Sequence, residues 1–242
     1  MLILAVETST FTGSVALVEA SLPEGAGRIV GETTLNLSET HSSRLMPTID
    51  RLLRETSRSI QAVQGIAVGL GPGSFTGLRI AVSTVKGLAF SLRVPVVGVP
   101  TLDALAHNFP YASPLVCPVL DARKKEVYAT LFRGNGEGQL RRIGEYWVLS
   151  PEELCSRISE RTILVGSGAE VYGETFREKL GSRALFAPPE FSFPRASTVA
   201  RLSLPSFQDG QTLDLMTFSP IYVRRSEAEI HWERKERGTG PG

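Results

Sequence analysis

The sequence predicts an α/β chain of two halves joined near Pro100. Two observations carry this. From the first residue the chain reads as a hairpin, a strand, a helix, a strand, a helix and a strand. At "GVPTLDALAH" it starts again, with a second strand–turn–strand run, "SPLVCPVLDARKKEVYATLFRG" (Ser113–Gly134). Alternation of this kind, with apolar runs of strand length, is the pattern of layered α/β domains.

The elements follow in order. "LILAV" (Leu2–Val6) is a short, fully apolar run and "GSVALVE" (Gly13–Glu19) is a second. The polar turn "ETSTFTG" (Glu7–Gly13) between them makes a hairpin with a hydroxyl-rich tip. "RIVGETTLNL" supplies a third strand. Leu45, Met46, Ile49, Leu52 and Leu53 then repeat at helical spacing, which predicts a helix over Ser43–Glu55 with Pro47 in its first turn or at a kink. "AVQGIAVGLG" returns to strand. A second helix is predicted over Phe75–Phe90, and "VPVVGVP" (Val94–Pro100) is a buried strand. Beyond the second hairpin comes "RTILVGSGAEVYGETF" (Arg161–Phe176), and the end of the chain, "ERKERGTGPG", reads as a disordered tail. The expected division is 1–100, 101–230 and a tail at 231–242.

Composition narrows the function. The 242 residues include 26 basic and 25 acidic ones, so no global field favours nucleic acid or an anionic membrane. Cys117 and Cys155 share no metal-ligand spacing and read as buried thiols of a reducing compartment. Neither a signal peptide nor a bilayer-length apolar run is recognised, and the expectation is a cytoplasmic protein.

The stretch "VGLGPGSFTGLRIAVSTVKGLAF" (Val68–Phe90) raises the possibility of a phosphate loop. It fails the specific motifs. Gly73 and Gly77 enclose three residues rather than four, and Leu78 stands in the lysine place of the Walker loop. The dinucleotide fingerprint fails at Thr76. An unspecific anion site at a helix start survives. The alternative is that the glycines serve close packing. Phe75, Leu78, Val82, Val85 and Ala89 form an apolar seam, and Gly77, Ala81 and Thr84 a small-residue strip beside it. Such a surface fits either the chain's own core or a partner helix.

"AVETST", "THSSRLMPTIDRLL", "GLGPGSFTGLRIAVSTVKGLA", "VPVVGVPTLDALA" and "SPIYVRRSEAE" together resemble the TsaB (YeaZ) family, over nearly the whole chain. The resemblance implies the acetate kinase–Hsp70–actin fold, two similar halves around a cleft. It implies a role in making threonylcarbamoyladenosine at the transfer-RNA adenosine beside the anticodon, as a non-catalytic scaffold. The implied partners are TsaD, the catalytic paralogue, and TsaE, an ATPase, with a homodimer when the partner is absent. Transfer RNA is met only through the complex, and no membrane is involved.

Residues bear on this reading directly. In "GVPTLDAL", Thr101 and Leu105 stand where the catalytic paralogue carries its metal-binding histidine pair, and leucine ligates nothing. His41, His107 and His231 form no ligand set by spacing, so no metal and no cofactor is expected. In "LDARKKEVYA", Asp121 is followed by Ala122, Arg123 and Lys124 where phosphate-clasping hairpins carry glycines. The rival reading, a small-molecule kinase or ATPase, needs Glu7, Asp121 and the Gly71–Gly73 loop. A third, a transfer-RNA-binding module, leans on Arg123–Lys125, Arg224–Arg225 and Arg234–Arg237. For the scaffold, the expected partner-binding residues are Leu45, Met46, Ile49, Leu53, Phe75, Leu78, Val82 and Val85.

Overall fold

The computed structural model describes residues 1–21, 26–36 and 41–223. The sequence-predicted tail, Arg224–Arg225, Arg234–Arg237 and His231 lie outside the described residues.

The first sheet contains β1 (Leu2–Glu7), β2 (Thr12–Ser21), β3 (Ala26–Asn36), β4 (Gly65–Gly69) and β5 (Val96–Val99), in the order β3-β2-β1-β4-β5. The second contains β6 (Leu115–Arg123), β7 (Glu126–Gly134), β8 (Leu140–Leu149), β9 (Thr162–Val165) and β10 (Ala184–Phe186). Its order from the other edge is β8-β7-β6-β9-β10, the same plan repeated. In both, the first three strands pair antiparallel and the last two join in parallel. This duplication matches the two similar α/β halves expected from the sequence.

The central strands are buried on both faces, which is why Leu2–Val6 and Ile66–Val68 read as unbroken apolar runs. On one face of the first sheet lie α1 (His41–Glu55) and α2 (Phe75–Leu92). The first helix begins two residues before the sequence-predicted start, so Pro47 falls in its second turn and removes one backbone hydrogen bond there. Ser74 caps α2 by accepting from the Gly77 N–H at 3.2 Å. Arg93 ends it in the left-handed conformation, φ 56°.

The other faces are covered by exchange. α3 (Thr101–Ala106) sends Leu102 and Leu105 into the core of the second sheet, beside Val116, Leu120 and Phe132. α7 (Ala196–Gln208), from late in the chain, packs Val199, Ala200 and Leu204 against Ile3, Ala5 and Ala16 of the first. Its free N-terminal N–H groups are met by that sheet: Ser197 N–H donates to Glu32 Oε1 at 2.9 Å and Ala196 N–H to Ser14 Oγ at 3.1 Å. Arg195 adds an ion pair to Glu32 at 2.7 Å. The second sheet's remaining face carries α4 (Pro151–Arg157) and α6 (Gly173–Leu180), with the short α5 (Ser167–Val171) between β9 and α6.

Both cysteines are free thiols in this second core. Burial raises the pKa of each. Among the described residues no helix is long and apolar enough to cross a membrane.

Candidate functional site

The glycine-rich loop between β4 and α2 is filled by the chain's own first hairpin. Gly71 takes φ +98° and turns the chain towards the helix. Gly73 and Gly77 carry no side chain because the carbonyls of Ser9 and Thr8 lie where their Cβ atoms would stand. Three of the loop's N–H groups are used internally. Gly71 donates to Thr101 Oγ1 at 3.1 Å, Ser74 to the Ser9 carbonyl at 2.6 Å and Gly77 to Ser74 Oγ. Thr8 Oγ1 closes the contact by donating to the Gly77 carbonyl at 2.8 Å. Gly73 and Gly77 therefore serve close packing inside the chain.

The acidic residues of the kinase reading are engaged in the same way. Glu7, at the end of β1, is fully buried. It accepts from the Ser9 N–H at 2.6 Å and from Thr101 Oγ1 at 3.4 Å. Burial raises its pKa, and the bonds from Ser9, Thr101 and Thr8 offset part of that rise. Asp121, at the equivalent place on β6, accepts from the Arg123 N–H at 2.9 Å and from the Tyr172 hydroxyl at 3.4 Å. Its second oxygen lies 3.3 Å from the Arg123 guanidinium.

Thr101 and Leu105 are core residues with no exposed surface. His107 has a ring nitrogen 2.8 Å from the Asp103 carbonyl and stands edge-on to Phe132. Among the described residues no three His, Cys, Asp or Glu side chains are grouped to hold a metal.

The expected partner stripe divides. Leu45, Ile49, Leu53, Leu78, Val82 and Val85 are all buried in the core between α1, α2 and the first sheet. This corrects their assignment to a partner surface. A sheet face built from Leu4, Val6, Leu17, Ile66 and Val68 must itself be covered, and the apolar stripes of both helices cover it. Only Met46, 46% exposed, and Phe75, 38% exposed, point outward.

Around Phe75 the structure assembles residues that the sequence did not single out. The Arg79 guanidinium lies 3.8 Å from the centre of the Phe75 ring. Tyr222 packs against Phe75 with ring centres 5.3 Å apart and the rings tilted by 39°, and Arg79 Nε donates to its hydroxyl at 3.4 Å. Tyr222 arrives on a C-terminal strap that returns to the first half. Leu213 N–H pairs with the Val96 carbonyl, Ile221 N–H with that of Leu70, and Phe218 enters the core. At the far end of α2 stands Phe90, 77% exposed. Phe75, Arg79, Ser83, Lys86 and Phe90 share an outer stripe at helical spacing. That period was available in the sequence, whereas nothing there brings Tyr222 to Phe75.

The chain matches, over residues 29–232, the family model described as TsaD: tRNA N6-adenosine threonylcarbamoyltransferase. It is 28% identical to the tRNA threonylcarbamoyladenosine biosynthesis protein TsaB of Bacillus subtilis, over 98% of this chain and all of that one. Identity to the Escherichia coli protein of the same name is 29%, over 94% and 96% of the two chains. The structure of YeaZ from Pseudomonas aeruginosa superposes with a TM-score of 0.74 at 31% identity, covering 92% of this chain and 99% of that one. The chain belongs to this threonylcarbamoyltransferase-like family and, within it, to the TsaB (YeaZ) proteins.

Proposed function

We propose that the chain is a scaffold subunit without chemistry of its own, working in the biosynthesis of threonylcarbamoyladenosine on transfer RNA. In this reading its N-terminal half, residues 1–100, pairs with TsaD through the outer face of α1 and α2. TsaE joins through TsaD, transfer RNA is engaged within the assembly, and the same face makes a homodimer when TsaD is absent. The compartment is the cytoplasm.

Family membership and the names of the relatives support the pathway. The observation that carries the subunit role is the outer face itself. It exposes Met46, Phe75 and Phe90 beside an arginine and a tyrosine already held in place by ring contacts. Aromatic and arginine side chains with few freedoms left to lose are the usual anchors of protein interfaces. A stable interface needs about 1,600 Å² in total, which two helices of this length and the strap can provide. Against a phosphotransferase stand the closed glycine loop and the two carboxylates already occupied.

The test is reconstitution with TsaD and TsaE from the same organism. Threonylcarbamoylation of a transfer-RNA transcript should require this chain, and the chain should co-elute with TsaD. The chain alone should show no magnesium-dependent ATP turnover above background. Turnover abolished by Asp121→Ala would reverse the reading.

A further inference from the structure

The turns after β1 and after β6 hold equivalent places in the two halves, and their tips meet. Phe11 stands on the first, 69% exposed. Arg123, the last residue of β6, leads into the second, its guanidinium 5.6 Å from the centre of the Phe11 ring. Arg123, Lys124 and Lys125 all adopt left-handed backbone, φ 62°, 54° and 60°, a region that side-chain-bearing residues rarely enter. Three consecutive such residues, none of them glycine, place three basic side chains on an exposed turn. Asp121 fixes Arg123 from below through its backbone N–H and its guanidinium. The carboxylate is 13% exposed and the guanidinium side chain 69%, so the anion faces inward and the cation outward.

An exposed ring flanked by cations suits unpaired nucleic acid, because a base stacks on the ring while the cations meet neighbouring phosphates. A free nucleotide is served less well. It needs a concave site that buries most of its surface, and Phe11 and Arg123 stand in the open.

We propose that Phe11, Arg123 and Lys125 form a platform for an unpaired stretch of the transfer RNA handled by the assembly. Phe11 stacks on a base, and the two cations lie against adjacent phosphates. This rests on the pathway reading above. The near-neutral net charge makes the platform an auxiliary contact within the assembly rather than an independent binder.

The experiment uses the full chain assembled with TsaD and TsaE. Fluorescence anisotropy follows a fluorescein-labelled transfer-RNA transcript and a fully paired RNA duplex of equal length, across a potassium chloride series. Phe11→Ala should weaken transfer-RNA binding about 5- to 100-fold and leave the duplex unchanged. Lys125→Ala should reduce the slope of log affinity against log salt by about 0.7. Size-exclusion chromatography should show both variants assembling normally. Unchanged affinity and slope in intact assemblies would overturn the platform and leave the scaffold standing. Loss of assembly in the variants would mark a protein contact instead, also against the platform. Failure of the unaltered chain to assemble would remove the reading on which it rests.

Discussion

The hydroxyl of Thr8 donates to the carbonyl of Gly77 at 2.8 Å, and the Thr8 carbonyl lies where a side chain on Gly77 would have to go. This one pairing ties the first hairpin to the start of α2 and sets what the glycine-rich loop does. Backbone approaches backbone, and no room is left between them for a ligand. Gly77→Ala must push the two apart. The expected result is a clear fall in melting temperature. Gly87 is the internal control, because it lies on the open side of the same helix, where a methyl group would meet nothing within 4 Å. Gly87→Ala should stabilise the chain by about 1 kcal/mol through helix propensity alone. Thermal unfolding of both variants checks the contrast.

Glu7 predicts a pH dependence. Its folded-state pKa lies above the ordinary 4.5 because burial disfavours the charged form. Below about pH 4.5 both folded and unfolded chains hold the proton, and the contribution is fully present. As pH rises from there, the unfolded chain releases the proton first, so stability is lost until the folded-state pKa is passed. Glu7→Gln abolishes that titration. Urea midpoints measured from pH 4 to pH 8 should therefore show the variant gaining on the unaltered chain as pH rises. Parallel curves would mean that folding does not raise the Glu7 pKa.

Val82 tests the inward stripe. It lies in the core of the first half, 7% exposed, so Val82→Arg buries an unpaired charge. The cost is about 3–5 kcal/mol, a large share of the stability of a typical domain. The variant should lose its helical circular dichroism or unfold at a much lower temperature. A folded variant that merely fails to bind TsaD would put Val82 on the surface after all.

Much of the first half was legible in the sequence for physical reasons. Buried strands such as Leu2–Val6 must be apolar throughout, and helices on a sheet must repeat every three to four residues. The start of α2 was legible too, because the glycines before Phe75 make a turn ahead of a helical apolar period, whereas the Ser74 cap came only with the structure. What failed was the direction of the stripes. Leu78 and Val82 obey the same spacing whether they cover a sheet or a partner, and only the tertiary arrangement decides. The sheet order was hidden as well, since "LILAVETST" and "LVCPVLDAR" share a shape and hardly any residues. The crossing of α7 onto the first sheet, and of Tyr222 onto Phe75, joins residues more than a hundred positions apart. Local pattern carries no trace of such pairings.

If the outer face of α1 and α2 holds the partner, charges placed on that face must block assembly without disturbing the fold. Size-exclusion chromatography of a Met46→Asp, Phe90→Asp double variant with TsaD, alongside circular dichroism of the variant alone, decides this. Both side chains are well exposed, so the variant should fold as the unaltered chain does. The expected outcome is a native spectrum and no co-elution with TsaD, because each carboxylate would be buried unpaired at the interface. A native spectrum together with undiminished co-elution would show that the partner binds elsewhere.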